Sequence, residues 1–232
     1  MARRDQSNSF ALPVDDAVQQ GDRFEFERAL VSQGVRTIGG VDEAGRGPLA
    51  GPVIAAAVIF SHQAILSGLP TEWCGLNDSK QLTRLQREKF FAWLQSHPEV
   101  IHAVAIVDVD IIDTSNILRA THQAMSAALL QLSPAPEHVL VDGLPVKSLG
   151  FPQTALIKGD SRSYSIAAAS IFAKVTRDRL MEQYDRLYPD YGFAQHKGYG
   201  TARHLAALAN FGPCPIHRRS FAPLKIEQPR LF

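Results

Sequence analysis

The chain has 232 residues, 45% hydrophobic and 20% charged, which is enough for one α/β core with a small appendage. No run approaches the roughly 18 apolar residues of a membrane span, and no apolar segment follows the basic N-terminus, so we expect neither an anchor nor a secretory signal. The net charge of only +1 excludes a protein that coats polyanions through bulk charge, so any nucleic-acid affinity must come from locally placed cations.

In chain order, residues 1–21 are polar and irregular and are predicted to form a loose arm, followed by a helix over residues 22–33 capped by Asp22. Two apolar runs rich in β-branched residues, Val35–Asp42 and Pro52–Phe60, flank a glycine turn and predict a strand hairpin. Ser61–Ser79 is predicted to be a loop.

Strands and helices alternate from there on, which is typical of a mixed β-sheet flanked by helices in an α/β fold. The further strands are predicted at Val100–Val109, His138–Val141 and Thr154–Ile157. The further helices are predicted at Thr83–Gln95, Thr114–Leu132, Ser163–Tyr188 and Ala202–Asn210. An Ala167–Ser170 patch of small residues would let the longest of these helices lie close against the sheet.

We therefore expect one domain over residues 22–224, with a small C-terminal helical part from about residue 189, and a tail over residues 225–232. The two cysteines, Cys74 and Cys214, lack metal-ligand spacing and indicate a reducing cytoplasm, with a single disulfide as the alternative.

Acidic residues stand where predicted strands give way to turns. Asp42 and Glu43 end the first strand, Asp142 ends the Val139–Val141 strand, and Asp160 precedes the long helix. Four carboxylates gathered at one sheet edge repel one another unless a cation shares them. Oxygen ligands favour Mg²⁺ or Mn²⁺, so we predict one or two such ions.

One local difficulty concerns the adjacent acids Asp42 and Glu43. Neighbouring strand residues point to opposite faces of a sheet. The two side chains can therefore serve one site only if the strand breaks or bulges at Ala44–Gly45.

A glycine-lined turn, Gly45-Arg46-Gly47, follows the acidic pair at once. Glycines let backbone N–H groups approach a phosphate closely, and a guanidinium matches phosphate geometry. Acids beside such a turn suit a metal ion held next to a phosphodiester, where two ions about 3.5–4 Å apart can activate water and stabilise the leaving oxygen.

With these motifs in place, the sequence resembles the bacterial ribonuclease HII family, the type 2 ribonucleases H that cut RNA in RNA–DNA duplexes. The matching stretches come in the family's order and are GVDEAGRGPLAGPV from Gly40, LNDSKQL from Leu76, VDG from Val141, KGDSRSYSIAAASIFAKVTRD from Lys158, YGFAQHKGYGT from Tyr191 and HRRSF from His217. They cover the chain from about residue 24 to residue 224.

The resemblance implies a ribonuclease H-like fold and metal-dependent endonuclease activity, with a cut on the 5′ side of a ribonucleotide, including a single one embedded in DNA. Asp42, Glu43, Asp142 and Asp160 take the places of the family's four metal-binding acids. Gly45, Arg46 and Gly47 match the turn that reads the ribose 2′-hydroxyl, the group by which a protein distinguishes RNA from DNA. Tyr199 matches the tyrosine that packs on the sugar at the RNA–DNA junction.

Other basic residues are weaker candidates. Lys80, Lys158, Arg218 and Arg219 are interpreted as phosphate contacts, with a solvated charged face as the equal alternative. The histidines near the C-terminus, His196, His204 and His217, are predicted to be hydrogen-bonded or exposed residues and not general bases. From residue 195 onward the chain has six Lys and Arg residues and a single acid, which makes this part locally basic.

The last residues resemble the short peptide by which bacterial DNA-processing enzymes dock on the sliding clamp. Gln228 is a polar anchor, and Leu231 and Phe232 are two apolar side chains for a hydrophobic pocket. Pro229 departs from the commoner apolar residue at that position, and a tail folded back on the body or disordered is the alternative.

The sequence thus predicts a cytoplasmic, monomeric, Mg²⁺- or Mn²⁺-dependent ribonuclease H that leaves 3′-hydroxyl and 5′-phosphate ends. Three alternatives remain open at this point. They are a ribonuclease HIII, disfavoured because fewer than 40 residues precede the first strand, a transposase- or resolvase-like nuclease, and a non-catalytic, clamp-tethered nucleic-acid-binding module.

Overall fold

The computed structural model describes residues 23–73 and 75–225. The predicted arm over residues 1–21, the proposed cap Asp22, and the clamp-type residues of the tail lie outside these described residues. Among the described helices, none combines the length and apolarity needed to cross a membrane.

A five-stranded mixed sheet forms the centre of the molecule. Its strands are β1 (Ile38–Ala44), β2 (Val53–Phe60), β3 (Val100–Val107), β4 (His138–Asp142) and β5 (Gln153–Leu156). The order across the sheet is β3-β2-β1-β4-β5. The β2 strand pairs antiparallel with β1 and β3, whereas β4 pairs parallel with β1 and β5. The predicted hairpin and mixed sheet are confirmed.

Helices cover both faces of the sheet. They are α1 (Glu25–Ser32), α2 (His62–Ser67), α3 (Arg84–Ser96), α4 (Val109–Ser115), α5 (Ile117–Leu130), α6 (Tyr164–Leu187), α7 (Phe193–His196) and α8 (Ala202–Phe211). Single 3₁₀ turns lie at Thr71–Trp73, Lys147–Leu149 and Gly159–Ser161.

The sheet separates two apolar cores because successive strand residues point to opposite faces. Ala56, Val58 and Leu140 join α6, α3 and α1 on one face. Val41 and Val141 join α5 on the other face. This alternation decides which acidic side chains at the strand ends can meet.

The long helix α6 crosses the sheet at close range, as its small residues predict. Ala167, Ala168 and Ala169 are fully buried. On the strand side, a Cβ built on Gly40 would lie 2.3 Å from the backbone carbon of Ser165. Only glycine fits at that position, and the close contact fixes the start of α6 against β1.

Several local predictions are wrong. Part of the predicted loop Ser61–Ser79 is helical, because the Ser61 hydroxyl accepts the Ala64 N–H and caps α2. The predicted helix Thr114–Leu132 is split at Asn116, whose φ of 145° breaks α4 from α5. The first helix begins at Glu25 with Phe24 at its N-cap and no side-chain cap, so the predicted start at residue 22 is also wrong.

The C-terminal helical part packs on the loop between β1 and β2. Ala50 from that loop shares a small core with Met181, Phe193 and Ile216. Backbone hydrogen bonds of 2.8 Å join Arg218 N–H to the Leu49 carbonyl and Gly51 N–H to the Ile216 carbonyl. The glycine-rich loop is therefore held by residues more than 160 positions further along the chain.

Candidate active site

Two acids lie side by side just after the parallel pairing of β1 with β4 ends. Asp42 and Asp142 each follow the paired residues Val41 and Val141 of β1 and β4. Because Val41 and Val141 face the α5 core, the residues after them face α6. The sheet register therefore brings the two carboxylates together.

The third acid comes from the turn that leads into α6. Asp160 lies in the 3₁₀ turn Gly159–Ser161, and the Gly159 N–H donates a 2.7 Å hydrogen bond to Asp142 Oδ1. One carboxylate oxygen from each of Asp42, Asp142 and Asp160 lies within 4.8 Å of the others. An all-carboxylate donor set at this spacing fits a hard divalent cation such as Mg²⁺ or Mn²⁺.

Glu43 is not among the acids whose oxygens lie within 4.8 Å of one another, although its charge acts on Asp42 and the charge of Asp142 acts on it. The β1–β2 pairing stays regular through Glu43 and Ala44, and the strand ends at Ala44–Gly45, where the sequence allowed a break. Glu43 Oε1 instead lies 3.3 Å from Arg46 Nη1. Sequence reasoning grouped four acids, and the structure brings three of them into one cluster.

Burial and mutual repulsion act on the protonation of the acids. Burial raises the pKa of Asp42 well above its usual range, the charges of Glu43 and Asp142 add to the rise, and hydrogen bonds from the Glu43 N–H and the Ser170 hydroxyl offset only part of it. Burial, with the charges of Asp142 and Asp78, raises the pKa of Asp160 to about 6. A bound cation would relieve this repulsion.

Lys80 is the cation that faces this cluster. Its partial burial lowers the pKa of its amine, but the carboxylates of Asp42, Asp78, Asp160 and Asp142 outweigh that effect and the pKa is raised. The amine is therefore an electrostatic partner of the acids.

Asp78 is a residue that sequence reasoning missed. It lies within the matched LNDSKQL stretch, where only Lys80 stood out. Its carboxylate accepts the Lys80 N–H at 2.8 Å, and its hydrogen bond with the Asp160 carboxyl group contributes to the raised pKa of Asp160. The available signal in the sequence was the position of Asp78, two residues before Lys80 in the same matched stretch.

Buried serines connect Asp42 to the Leu76–Leu82 segment. Ser170 of α6, whose hydroxyl lowers the pKa of Asp42, has its Oγ 2.8 Å from Ser79 Oγ. Both serines are buried. The Ser79–Ser170 hydrogen bond holds the segment that carries Asp78 and Lys80 against α6.

The Gly45–Gly47 turn and Tyr199 adjoin each other. Gly45 has a φ of +99°, which favours glycine. A Cβ built on Gly47 would lie 3.6 Å from Cε1 of Tyr199, whose side chain is 48% exposed. The Leu49 N–H also donates to the Gly198 carbonyl at 2.8 Å. The exposed ring and the exposed Arg46 thus share one surface beside the acids.

Arg218 is not a phosphate contact, contrary to the prediction. It is fully buried, and its guanidinium donates to the carbonyls of Gly45, Arg46, Gly51 and Pro52. Sequence reasoning missed its partners because they lie in the glycine loop. Lys158 and Arg219 are exposed, as a phosphate contact requires.

The three C-terminal histidines belong to the small C-terminal core. His204 Nε2 and His217 Nε2 lie 2.9 Å apart, and His196 Nε2 lies 2.8 Å from the Tyr191 carbonyl oxygen. Burial, with the neighbouring His204, lowers the pKa of His217 to about 4. All three are buried and hydrogen-bonded, as predicted. Cys214, beside His217, is a free thiol.

The sequence of this chain matches a known protein family over a stretch that includes all of these acids. The family model for ribonuclease HII matches residues 39–224, which span every acid of the site. The chain belongs to the ribonuclease HII family. Its members are ribonucleases H, so this chain is an enzyme of that class, and the HIII-like and resolvase-like alternatives are set aside.

Relatives and solved structures agree with this family. A ribonuclease HII of Ruminiclostridium cellulolyticum is 51% identical over 204 residues, covering 88% of this chain and 77% of that protein. Ribonuclease H2 from Pyrococcus horikoshii superposes with a TM-score of 0.66 at 29% identity, covering 81% of this chain and 95% of the other. Ribonuclease HII of Archaeoglobus fulgidus, solved in complex with PCNA, gives a TM-score of 0.65 at 26% identity, covering 84% and 98%. The ribonuclease H-like fold predicted from the sequence is confirmed.

Proposed function

We propose that this ribonuclease HII cuts the phosphodiester on the 5′ side of a ribonucleotide, in RNA–DNA hybrids and at single ribonucleotides embedded in duplex DNA, leaving 3′-hydroxyl and 5′-phosphate ends. The observation that carries the proposal is the convergence of Asp42, Asp142 and Asp160 within 4.8 Å beside an exposed glycine turn.

The acids would hold Mg²⁺ or Mn²⁺, with Asp42, Asp142 and Asp160 as the shared ligands and Glu43 at the margin. When bound, such ions supply an activated water and stabilisation of the leaving oxygen. The protein's own contribution is to fix the carboxylates through Ser170 and the Gly159 N–H, and to place the Lys80 amine where it offsets negative charge.

Substrate recognition is assigned to the surface next to the acids. The backbone of Gly45, Arg46 and Gly47 would contact the ribose 2′-hydroxyl and the adjoining phosphate. The Tyr199 ring would pack on the sugar that follows, where an aromatic face disfavours an extra hydroxyl. The side chains of Arg46, Lys158 and Arg219 are exposed and would bind phosphates along the duplex.

The deciding experiment uses a DNA duplex that contains one ribonucleotide, incubated with the protein and Mg²⁺, Mn²⁺ or EDTA. We expect a cut directly 5′ of the ribonucleotide with either ion and none with EDTA. An all-DNA duplex of the same sequence is the matched substrate control. Cutting that persists in EDTA, or that falls elsewhere, would contradict the proposal.

The Asp42→Asn variant separates binding from chemistry. Since Asp42 shares the cluster, the substitution should reduce cutting by at least about 100-fold while hybrid binding stays within about threefold of the parent. Cleavage assays and fluorescence anisotropy on the same duplex measure the two quantities. Retained cutting with lost binding would contradict the assignment of Asp42 to the catalytic metal site.

The C-terminal tail completes the proposal. We infer that Gln228, Leu231 and Phe232 dock on the bacterial sliding clamp and that the enzyme acts as a monomer in the cytoplasm. The archaeal relative solved with PCNA supports a clamp partner. The tail peptide supplies the polar anchor and the two apolar side chains that such a pocket requires.

A further inference from the structure

Two buried arginines lie beneath the glycine turn. The side chains of Arg177 on α6 and Arg218 near the C-terminus are 1% and 0% exposed. Neither forms an ion pair with a carboxylate anywhere in residues 23–73 or 75–225. Burying two cations without counter-ions costs free energy of folding, so their hydrogen bonds must offset this cost.

Within the described residues, every hydrogen bond of the two guanidiniums goes to a backbone carbonyl of the loop or of the segment before Tyr199, and Arg218 also lies over the Phe221 ring. Arg218 donates to the carbonyls of Gly51, Arg46, Gly45 and Pro52. Arg177 donates to the carbonyls of Pro52, Lys197 and Ala50 at 3.2, 3.0 and 3.1 Å. The two guanidiniums share Pro52, which makes them one connected support.

These bonds set the direction of the turn's N–H groups. In a planar trans peptide the C=O and the following N–H point in opposite directions. With the Gly45 and Arg46 carbonyls held inward by Arg218, the N–H groups of Arg46 and Gly47 point outward. No acceptor within the described part of the chain takes a hydrogen bond from either N–H. Both remain available to a substrate.

The same support reaches Tyr199. Arg177 holds the Lys197 carbonyl, two residues before Tyr199, while it also holds Ala50 and Pro52 of the loop. The Arg177 side chain fills the space next to Gly45, because a Cβ on Gly45 would clash with Arg177 Nε. The guanidinium therefore fixes the distance between the turn and the aromatic ring.

We propose that Arg177 and Arg218 are positioning residues that set the separation of the Gly45–Gly47 turn from Tyr199, and thereby the preference for a ribonucleotide followed by a deoxyribonucleotide. The inference rests on the proposed function, whose turn and ring read the two sugars. A planar fork with five donors can hold several carbonyls at fixed angles, whereas a lysine amine with three rotatable donors cannot.

The test compares Arg177→Lys and Arg218→Lys with the parent enzyme on two substrates. One is a DNA duplex with a single ribonucleotide, and the other is a hybrid whose whole cleaved strand is RNA, so that no deoxyribose follows the cut site. Misplacing reading groups by a fraction of an ångström should lower kcat/KM on the first substrate by about 10-fold to 100-fold. On the long hybrid we expect a loss of less than about threefold, and Mn²⁺ affinity by calorimetry should be unchanged.

Arg179→Gln is the matched control, because Arg179 lies on the same helix but pairs with Glu88 at the surface. It should keep the substrate preference of the parent. If both lysine variants keep the parent's preference, or lose both activities in equal proportion, the arginines only stabilise the fold and the positioning role is wrong.

A measurement on the parent enzyme tests the proposal even if the arginine variants fail to fold. In protein labelled with ¹⁵N-arginine, the Nε–H signals of Arg177 and Arg218 should exchange with water far more slowly than that of Arg179. Fast exchange at both positions would overturn the proposal whether or not the enzyme cuts. If exchange is slow but the parent does not cut at the ribonucleotide, the proposed function fails while the arginine support stands.

Discussion

At the scale of single residues, the negative charges of the site's acids repel one another as long as no cation is bound. Asp42 and Asp160 are buried, and each carries a raised pKa. Removing one carboxylate should therefore help the metal-free fold and harm the chemistry. That opposite response distinguishes a metal site from a structural cluster, in which a lost partner destabilises the protein.

We expect the metal-free Asp142→Asn variant to be at least as heat-stable as the parent. The charge of Asp142 raises the pKa values of Asp42, Glu43 and Asp160, and the asparagine oxygen can still accept the Gly159 N–H. Melting temperatures in EDTA measure the effect. A fall of several degrees would show that Asp142 is structural, and the isosteric Asp113→Asn at the Arg219–Ser220 turn provides a surface control.

The pH dependence of metal-free stability should follow Asp160. Its folded pKa of about 6 lies above its ordinary value of 3.8, so between these values the folded state binds more protons than the unfolded state. The contribution of this group to stability is therefore full below about pH 4 and is lost as the pH rises through about 6. Melting curves in EDTA from pH 4 to 7.5 should show a larger loss in the parent than in Asp160→Asn, in which the raised pKa values of Asp42 and Glu43 still contribute. Parallel curves for the two proteins would contradict it.

At the scale of the elements, the site depends on how closely α6 approaches β1. The helix start carries Asp160 on the preceding turn, and its next turns bring Ser170 to Asp42. Gly40 permits this approach, since no side chain fits between β1 and the Ser165 backbone. The packing of α6 on the sheet therefore also brings the acids together.

Gly40→Ala should destabilise the protein by about 1–3 kcal/mol or more, because the new methyl group must push α6 away from the sheet. Denaturant unfolding in EDTA measures the change. Gly75→Ala is the matched control, since a Cβ there meets only the Phe90 ring at an ordinary 3.8 Å. Equal stability of the Gly40 and Gly75 variants would show that the helix tolerates a larger separation.

The sequence predicted features that depend on nearby residues, but it did not predict every contact between residues far apart in the chain. Apolar strands followed by acids predicted Asp42, Asp142 and Asp160 as neighbours, since strand ends follow from local patterns. Arg218 was placed wrongly because its partners, Gly45 and Arg46, are more than 170 residues away in the chain. A cation in a basic segment looks the same whether it faces water or a set of buried carbonyls.

Glu43 shows a second limit. Whether it joins Asp42 depends on where the strand pairing ends, and β1 remains paired to β2 up to Ala44. Glycine at position 45 indicated a turn, but its exact register against β2 is a tertiary property. The split of the predicted helix at Asn116 has a local origin, since the Asn116 side chain accepts the Arg119 N–H and caps α5.

At the scale of the whole molecule, the proposed recognition surface lies within one packed part of the described residues, and the proposed clamp peptide follows that part in sequence. The glycine turn, Tyr199 and the buried arginines belong to one packed unit, in which the C-terminal segment pairs with the loop through Leu49 and Gly51. The clamp-type residues follow that segment in sequence. We therefore expect that changes in the tail can alter recruitment to a partner without altering catalysis.

Deleting Gln228–Phe232 should remove binding to the bacterial sliding clamp and leave kcat/KM on a short duplex unchanged. The tail's binding energy would come from burying the Leu231 and Phe232 side chains, roughly 1.5–3 kcal/mol each when fully buried, so Leu231→Ala with Phe232→Ala should weaken binding nearly as much as the deletion. Surface plasmon resonance on immobilised clamp measures this, with Arg230→Ala as the control that keeps both apolar side chains. Unchanged clamp affinity after the deletion would refute the tail assignment, while reduced cleavage of the short duplex would mean that the tail also contributes to the catalytic unit.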